Sequence, residues 1–454
     1  MATASSSSTP LSFEAFLDGV KQRNPNEREF VQAVKEVARS VFPLVETSSE
    51  YREARILERL TEPDRIITFR VTWEDDDGGV HVNRAWRVQH SRSIGPYKGG
   101  LRFHRSVDRS ILKFLAYEQT FKNSLTGLPM GGGKGGSNFD PKERTEREIM
   151  RFCQSFMSEL FRHIGDDADV PAGDIGVGSR EIGYLFGQYM RLTNEYEGAL
   201  TGKGLTYGGS AVRQEATGYG AVYFLCEMLA CRDESIEGKR IAISGAGNVA
   251  LFAAEKALAM GAKVITLSDS DGFVSCDAGF DEDALETVKN LKLEKRGRLA
   301  ELDDRLGGVR YVEGGAPWGV ECDVAMPCAT QNEIDLDAAR SLIDHGVCAI
   351  VEGANMPCTD DAVQAFREAQ LLFAPGKAAN AGGVAVSGLE QSQNASRLSW
   401  ERERVDDRLQ EIMGSIHAKC VEEMEADGCV DYVDAANRAG FRKVADAMLA
   451  QGIF

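Results

Sequence analysis

The sequence predicts an α/β chain of two domains, the second built on a doubly wound, mostly parallel sheet. Three observations carry this. At 454 residues the chain is too long for one simple core. Its first half changes from helical to strand periodicity and back. Its second half contains a complete β-α-β unit with a glycine turn, followed by further short apolar strands.

In order, Phe13, Phe16, Leu17 and Val20, then Phe30, Val31, Val34, Val37 and Ala38, recur at helical spacing, so residues 11–60 read as helical. Residues 65–73 are β-branched and aromatic and predict a strand. Asp75 to Gly79 reads as a hairpin turn, and residues 80–89 as the returning strand. Helices follow at about 110–125 and 146–163. Residues 239–250, KRIAISGAGNVA, read as strand, glycine turn and helix start, with the helix running to about Met260 and the next strand ending at Asp269. Apolar strands recur at 324–326, 349–351 and 371–374, each followed by Pro, Gly or Asn.

Composition narrows the function. Hydrophobic content of 43% and charged content of 27% are ordinary for a globular protein. A net charge of −18 argues against nucleic-acid or anionic-membrane partners. No apolar run approaches the roughly 20 residues that span a bilayer. The start, MATASSSSTP, lacks an apolar signal core. Residues 1–20 hold no arginine, so a disordered tip of about ten residues in a cytoplasmic protein is expected. The ten cysteines form no CxxC pair and the six histidines no HExxH, so no metal site is expected and the thiols read as reduced and mostly buried.

Against this acidic background, three lysines near tight, glycine-rich turns stand out: Lys98 in PYKGG, Lys122, and Lys134 in GLPMGGGKGG. They suggest a pocket for a small anion. A phosphate-binding P-loop fails on spacing, because Leu128 stands where its first glycine belongs and Gly135 follows the lysine. Asp174, in PAGDIGVG, pairs with Lys134 as a candidate proton-transfer couple; alone it would read as a turn residue. A lysine removed from water near other cations has its pKa lowered toward about 7–8 and acts as a base.

The glycine turn predicts dinucleotide binding. Gly245 permits the tight turn, Gly247 lets a pyrophosphate reach the backbone, and Ala250 allows close helix–strand packing. The helix opening at Asn248 and Val249 offers unpaired N–H groups and a positive dipole end. A flavodoxin-like domain with no cofactor is the competing reading. Asp269 ends the next strand, where a carboxylate favours the free 2′-hydroxyl of NAD. Ser270 and the cluster Lys292, Lys295 and Arg296 would instead balance the 2′-phosphate of NADP, or form a solvated charged face.

The stretches IGPYKGGLRFH, FKNSLTGLPMGGGKGG, DVPAGDIGVG, RQEATGYG, SGAGNVA, PCATQNE, VEGANMP and APGKAANAGGVAVSGLE closely resemble the hexameric glutamate dehydrogenases, particularly the small NADP-linked type, from about residue 11 onward. The resemblance implies reversible oxidative deamination of L-glutamate to 2-oxoglutarate and ammonium, with NADP as cofactor and NAD as the alternative. It implies that Lys98, Gly99 and Ser387 hold the γ-carboxylate and that Lys122 and Gln119 hold the α-carboxylate. Lys134 would be the catalytic lysine and Asp174 the proton-transfer group. Arg213 and Thr217 would lie beside the nicotinamide, and Asn355 and Asn380 would contact its ribose or amide. It further implies an N-terminal α/β substrate-binding and oligomerisation domain of residues 1–204 plus 430–454, and a Rossmann-like dinucleotide-binding domain of 205–429. The two would face each other across a cleft that closes during turnover. A cytoplasmic homohexamer is expected, without the antenna insertion of the animal enzymes. The closest rival is a leucine, phenylalanine or valine dehydrogenase. Lys98 and Ser387 argue against it, since an unpaired lysine facing an alkyl chain is costly.

Overall fold

The computed structural model describes residues 12–302, 306–424 and 432–453. The Ser-rich tip expected to be disordered, and Cys429, lie outside them. The chain divides into two compact units. Of the described residues, the first unit holds those up to Phe121, Met130–Leu200 and those from Phe441 on; the second holds Lys122–Pro129 and Thr201–Gly440.

The first unit opens with α1 (Phe13–Arg23), whose N-terminus Ser12 caps by accepting the N–H of Ala15. In α2 (Arg28–Thr47), Phe30, Val34, Val37 and Ala38 of the pattern read from the sequence are fully buried, with Val41 one turn on, while Val31 is half-buried. Short α3 (Ser49–Glu53) and α4 (Ile56–Leu60) follow. β1 (Arg65–Glu74) and β2 (Val80–Ser91) form the expected hairpin; the Asp75 carboxylate closes its turn by accepting the N–H groups of Asp77 and Gly79. Then come β3 (Tyr97–Phe103), α5 (Arg109–Leu125), β4 (Gly132–Ser137), α6 (Glu146–Leu160), β5 (Asp169–Ala172) and α7 (Ser179–Thr193). The five strands lie in the order β1-β2-β4-β3-β5, with β4 parallel to β3 and antiparallel to β2.

Here the structure corrects the sequence reading. The two lysine-glycine stretches expected as tight turns are β3 and β4, and the lysines sit within strands. The glycines are there because the neighbours come too close for a side chain. A Cβ on Gly99 would lie 1.7 Å from the Gly133 carbonyl oxygen, and one on Gly132 would lie 1.9 Å from Thr120 Oγ1. Behind β3, Phe103 packs edge-on against Phe152 (5.0 Å) and Phe156 (5.2 Å) of α6. Each fully buried phenylalanine contributes about 1.5–3 kcal/mol of transfer free energy. That cluster anchors the end of the strand carrying Lys98.

The second unit is the doubly wound sheet. Its elements are α8 (Ala216–Ala230), β6 (Arg240–Ile243), α9 (Asn248–Ala259), β7 (Lys263–Asp269), β8 (Gly272–Ser275), α10 (Glu282–Lys289), β9 (Arg310–Glu313), β10 (Val324–Met326), α11 (Leu336–Asp344), β11 (Ala349–Val351), α12 (Asp360–Glu368), β12 (Leu372–Ala374), α13 (Gly376–Ala379), α14 (Gly382–Ser396), α15 (Arg402–Glu422) and the first part of α16 (Tyr432–Gln451), whose residues from Phe441 on belong to the first unit. The strand order is β12-β11-β10-β6-β7-β8-β9. β12 through β7 are parallel, while β8 and β9, which the sequence reading missed, add antiparallel at one edge. The chain therefore reverses direction across the sheet between β6 and β10, the topological switch point where open α/β sheets bind ligands. All nine described cysteines are free thiols, and six of them are buried. Among the described residues no helix is long and apolar enough to cross a membrane.

Candidate active site

In the first unit, β3 and β4 run side by side, and the strand alternation decides which side chains share a face. Lys98, Gly100 and Arg102 alternate on one face of β3. Lys98 is only 1% exposed. Between it and Arg102, the missing side chain of Gly100 makes room for Asp174: a Cβ there would lie 2.8 Å from Asp174 Cβ. Asp174 opens the turn after β5, donating its N–H to the Val177 carbonyl and accepting the Val177 N–H. Gly176 takes the left-handed conformation this turn needs, φ +74°. Phe103 donates its N–H to the carbonyl of Ile175, pinning the turn to the end of β3.

Lys134, near the middle of β4, points its Nζ to 3.2 Å from Asp174 Oδ2. Arg102 donates its Nε–H to the same oxygen at 2.7 Å. The lysine side chain is 6% exposed and the aspartate side chain 17%. Burial pushes the Lys134 pKa down and outweighs the opposing pull of Asp174; Arg102 and Arg87 add to the downward push. For Asp174 burial acts upward, but Lys134 and Arg102 together overcome it and hold the carboxyl below its usual value. The couple is thus a buried lysine biased toward losing its proton, beside a carboxylate biased toward staying ionised. Gln119 packs across Gly99, its Cγ 3.3 Å from where a Cβ there would stand. Arg102 is the residue the sequence reading missed. Its signal was the alternation Lys98, Gly100, Arg102 within a stretch already singled out.

In the second unit, Lys122 donates to Asn380 Oδ1. Asn380 in turn donates its Nδ2 to the Ala354 carbonyl and to Asn355 Oδ1, each at 3.0 Å. Arg213 donates its Nε–H to Ser387 Oγ at 3.0 Å. Two glycines at the start of α14 permit this. A Cβ on Gly382 would lie 2.0 Å from the Ala216 carbonyl oxygen, and one on Gly383 would lie 2.4 Å from Thr217 Oγ1, so α14 seats directly on α8. Val212, just before Arg213, is held at φ +62°, a strained conformation for a β-branched residue that costs on the order of 1–3 kcal/mol. Lys203 and Glu390 form a buried ion pair at 2.8 Å, and Glu390 also accepts the Gly202 N–H, fixing the chain that enters this unit.

The glycine turn after β6 has the geometry a dinucleotide needs. Gly245 is left-handed, φ +85°, and a Cβ on it would press to 3.1 Å of the Cys328 carbonyl oxygen beyond β10, at the switch point. At Gly247 a Cβ would meet nothing within 4 Å, so the backbone opens onto free space at the start of α9. Asn248 beside it is exposed, Val249 is half-buried and Ala250 is buried against the sheet. These residues fit a pyrophosphate on the α9 N-terminus. Asp269 Oδ2 accepts from Lys292 Nζ (2.9 Å) and the Leu299 N–H (3.0 Å), and its Oδ1 from the Asp271 N–H (3.1 Å). Burial opposes the ionised form, but these donors outweigh it and keep the carboxyl low. Lys292 is therefore turned to Asp269, while Lys295 and Arg296 are exposed. The cation at Ser270 is Arg298, which donates to its Oγ at 2.7 Å; the sequence reading stopped two residues short of it. Among the described residues no cluster of three or more His, Cys, Asp or Glu side chains is placed to hold a metal ion.

Comparisons with known proteins agree with this layout. The profile of the Glutamate/Leucine/Phenylalanine/Valine dehydrogenases matches residues 208–452, and that of the Glu/Leu/Phe/Val dehydrogenase dimerisation domain matches 63–191. The chain is 58% identical over 442 residues to an NADP-specific glutamate dehydrogenase of Salmonella typhimurium, covering 97% of this chain and 99% of the relative. It is 52% identical to an NAD-specific glutamate dehydrogenase of Bacteroides fragilis, covering 98% and 100%. A solved Plasmodium falciparum glutamate dehydrogenase superposes with a TM-score of 0.95 at 50% identity, covering 97% of this chain and 94% of that one. The chain belongs to the glutamate/leucine/phenylalanine/valine dehydrogenase family.

Proposed function

We propose that this protein is an NADP-dependent glutamate dehydrogenase, interconverting L-glutamate with 2-oxoglutarate and ammonium. The observation that carries the reading is the buried Lys134–Asp174 couple, 3.2 Å apart. It supplies a base and a proton carrier at one point, which an amino-acid oxidation requires. The similarity to glutamate dehydrogenases over 97% of the chain supports glutamate as the amino acid.

When bound, the nicotinamide supplies the hydride acceptor in one direction and the donor in the other. The protein's own groups do the remaining work. Lys98, Gly99 and Ser387 are assigned to the γ-carboxylate, and Lys122 and Gln119 to the α-carboxylate. Two lysines at different positions select a substrate by the spacing of its carboxylates. The ionised Asp174 takes a proton from the α-ammonium, freeing the nitrogen lone pair that drives hydride loss from Cα. Neutral Lys134 then removes a proton from the water that attacks the iminium carbon. Asp174 returns its proton to the nitrogen; as the C–N bond breaks, the hydroxyl proton passes to the departing ammonia, which leaves as ammonium, while the Lys134 ammonium stabilises charge developing on the oxygen and afterwards releases its proton to solvent. The reverse steps make glutamate. Buried Lys98 opposes the branched-chain and aromatic alternatives, whose alkyl or aryl side chains bring no carboxylate to it.

For the cofactor, a free Asp269 carboxylate would repel a 2′-phosphate. Its pairing with Lys292 removes that objection, and Ser270 with Arg298 offers donors to the phosphate. Gly245, Gly247, Asn248 and Val249 are assigned to the pyrophosphate, and Thr217, Asn355 and Asn380 to the nicotinamide end. The NAD-specific relative keeps an NAD-linked enzyme as the second reading. A homohexamer in the cytoplasm completes the proposal; the edge strand β1 and exposed Val80 and Val82 in the neighbouring β2 offer a surface for subunit contact.

The test is Lys134→Ala with circular dichroism as a fold control. Loss of L-glutamate turnover in a folded protein is expected. Turnover equal to the parent's would remove Lys134 from the mechanism.

A further inference from the structure

Arg102 has no task in the scheme above, yet it makes the shorter of the two contacts to Asp174. Its Nε–H reaches Oδ2 at 2.7 Å, against 3.2 Å for Lys134 Nζ on the same oxygen. Its side chain is 17% exposed, so the contact is sheltered from solvent. The arrangement is built by the strand itself, with Gly100 vacating the place that Asp174 fills. We infer that Arg102 is a positioning residue of the active site: its guanidinium anchors Asp174 through Oδ2 and, as a positive charge beside it, keeps the couple ready to take a proton from substrate. This rests on the proposed glutamate dehydrogenase reading and goes beyond it.

An arginine suits the task because its planar guanidinium presents donors in a rigid fork and holds a carboxylate oxygen in one geometry, which the single flexible ammonium of a lysine does not. The other charges around the couple are already engaged. Arg87 of β2 is fully buried and donates to Asp169 of β5 at 2.9 Å and to the Gly99 carbonyl at 3.0 Å. Lys98 of β3 is buried on the face it shares with Arg102. On α7, Arg180 and Glu181 pair with each other at 2.6 Å. Arg102 is therefore the cation whose removal changes the charge on the couple most directly. Without it, the Asp174 carboxylate loses one of its two cations and Lys134 loses a repelling neighbour, and both changes act in the same sense: each group holds its proton to higher pH.

The experiment is the pH profile of kcat/KM for L-glutamate with NADP, for the parent, Arg102→Gln and Arg102→Lys. In Arg102→Gln the acid limb is expected to move up by about one pH unit. The loss is then about tenfold on the acid limb and recovers toward the parent at high pH. Arg102→Lys, which keeps the charge, is expected to keep the parent's limb at lower kcat. A loss in Arg102→Gln that is uniform across pH would mark a merely structural contact and overturn the inference. So would a limb in Arg102→Lys displaced as far as in Arg102→Gln. Should Arg102→Gln not fold, Arg102→Met, which keeps an unbranched apolar stem, takes its place. If neither uncharged variant folds, Arg102 is a structural anchor and the inference fails. A parent with no L-glutamate turnover would instead refute the proposed function, so the two failures are distinguishable.

Discussion

Asp174→Asn isolates the proton carrier. The amide keeps the shape of the carboxylate and removes both its charge and its basicity. Two consequences can be sized. Loss of a positioned general base lowers kcat by about 10²–10⁴, or about 3–5 kcal/mol of barrier. Separately, Lys134 loses its only attracting neighbour in the couple. Two unit charges 3.2 Å apart attract by about 5 kcal/mol at an effective dielectric constant of ~20, before screening by the 17% of the aspartate side chain that is exposed. With burial and Arg102 then unopposed, the Lys134 pKa falls further, so the acid limb of the residual activity moves to lower pH. The assay is steady-state kcat and KM for L-glutamate with NADP across pH. KM is expected to change little, because Asp174 holds neither carboxylate. A kcat within tenfold of the parent's, or a limb that moves to higher pH, would refute this reasoning.

Three further expectations concern the scaffold. Gly99→Ala forces a Cβ to 1.7 Å from the Gly133 carbonyl oxygen, so β3 and β4 must separate; a loss of at least about 1–3 kcal/mol is expected, and a urea midpoint equal to the parent's would contradict the packing described. Glu390→Gln leaves the buried Lys203 ammonium without its counter-charge. About 3 kcal/mol or more should be lost in urea unfolding, and a cost under about 1 kcal/mol would show the pair to be unimportant. His90 is fully buried, and burial pushes its pKa down to about 4 from the ordinary imidazole value of 6.5. Between these values the unfolded chain binds the proton and the folded one does not, so stability falls as pH drops from about 6.5 to 4, by about 1.4 kcal/mol per unit. His90→Gln should flatten that slope by one proton, which urea midpoints measured across the window would reveal; an unchanged slope would contradict it.

Much of the second unit was legible because its strands are short, apolar and followed by turn residues: residues 324–326 and 349–351 read directly as β10 and β11. The missed edge pair, β8 with β9, brings Gly272 beside Glu313, far away in the sequence, a contact no local pattern announces. In the first unit, β4 was illegible as a strand because glycines have no side chains to alternate. What fixes it is the closeness of Thr120, Leu101 and Arg102, known only from the fold. Lys134 and Asp174 stood out as rare charges in glycine-rich segments. The turning of Lys292 to Asp269, and the placing of Arg298 at Ser270, depend on how the chain after α10 folds back, with Arg296 at φ +55°, and could not be read from a run of basic residues.

The most direct measurement is the steady-state rate of 2-oxoglutarate reduction with ammonium, comparing NADPH and NADH at equal concentration. The account expects turnover that is lost in Lys134→Ala, with a higher kcat/KM for NADPH. A preference for NADH would overturn the cofactor assignment at Asp269 and Ser270. Absence of turnover with either cofactor, or faster turnover of a branched-chain 2-oxo acid, would contradict the central claim.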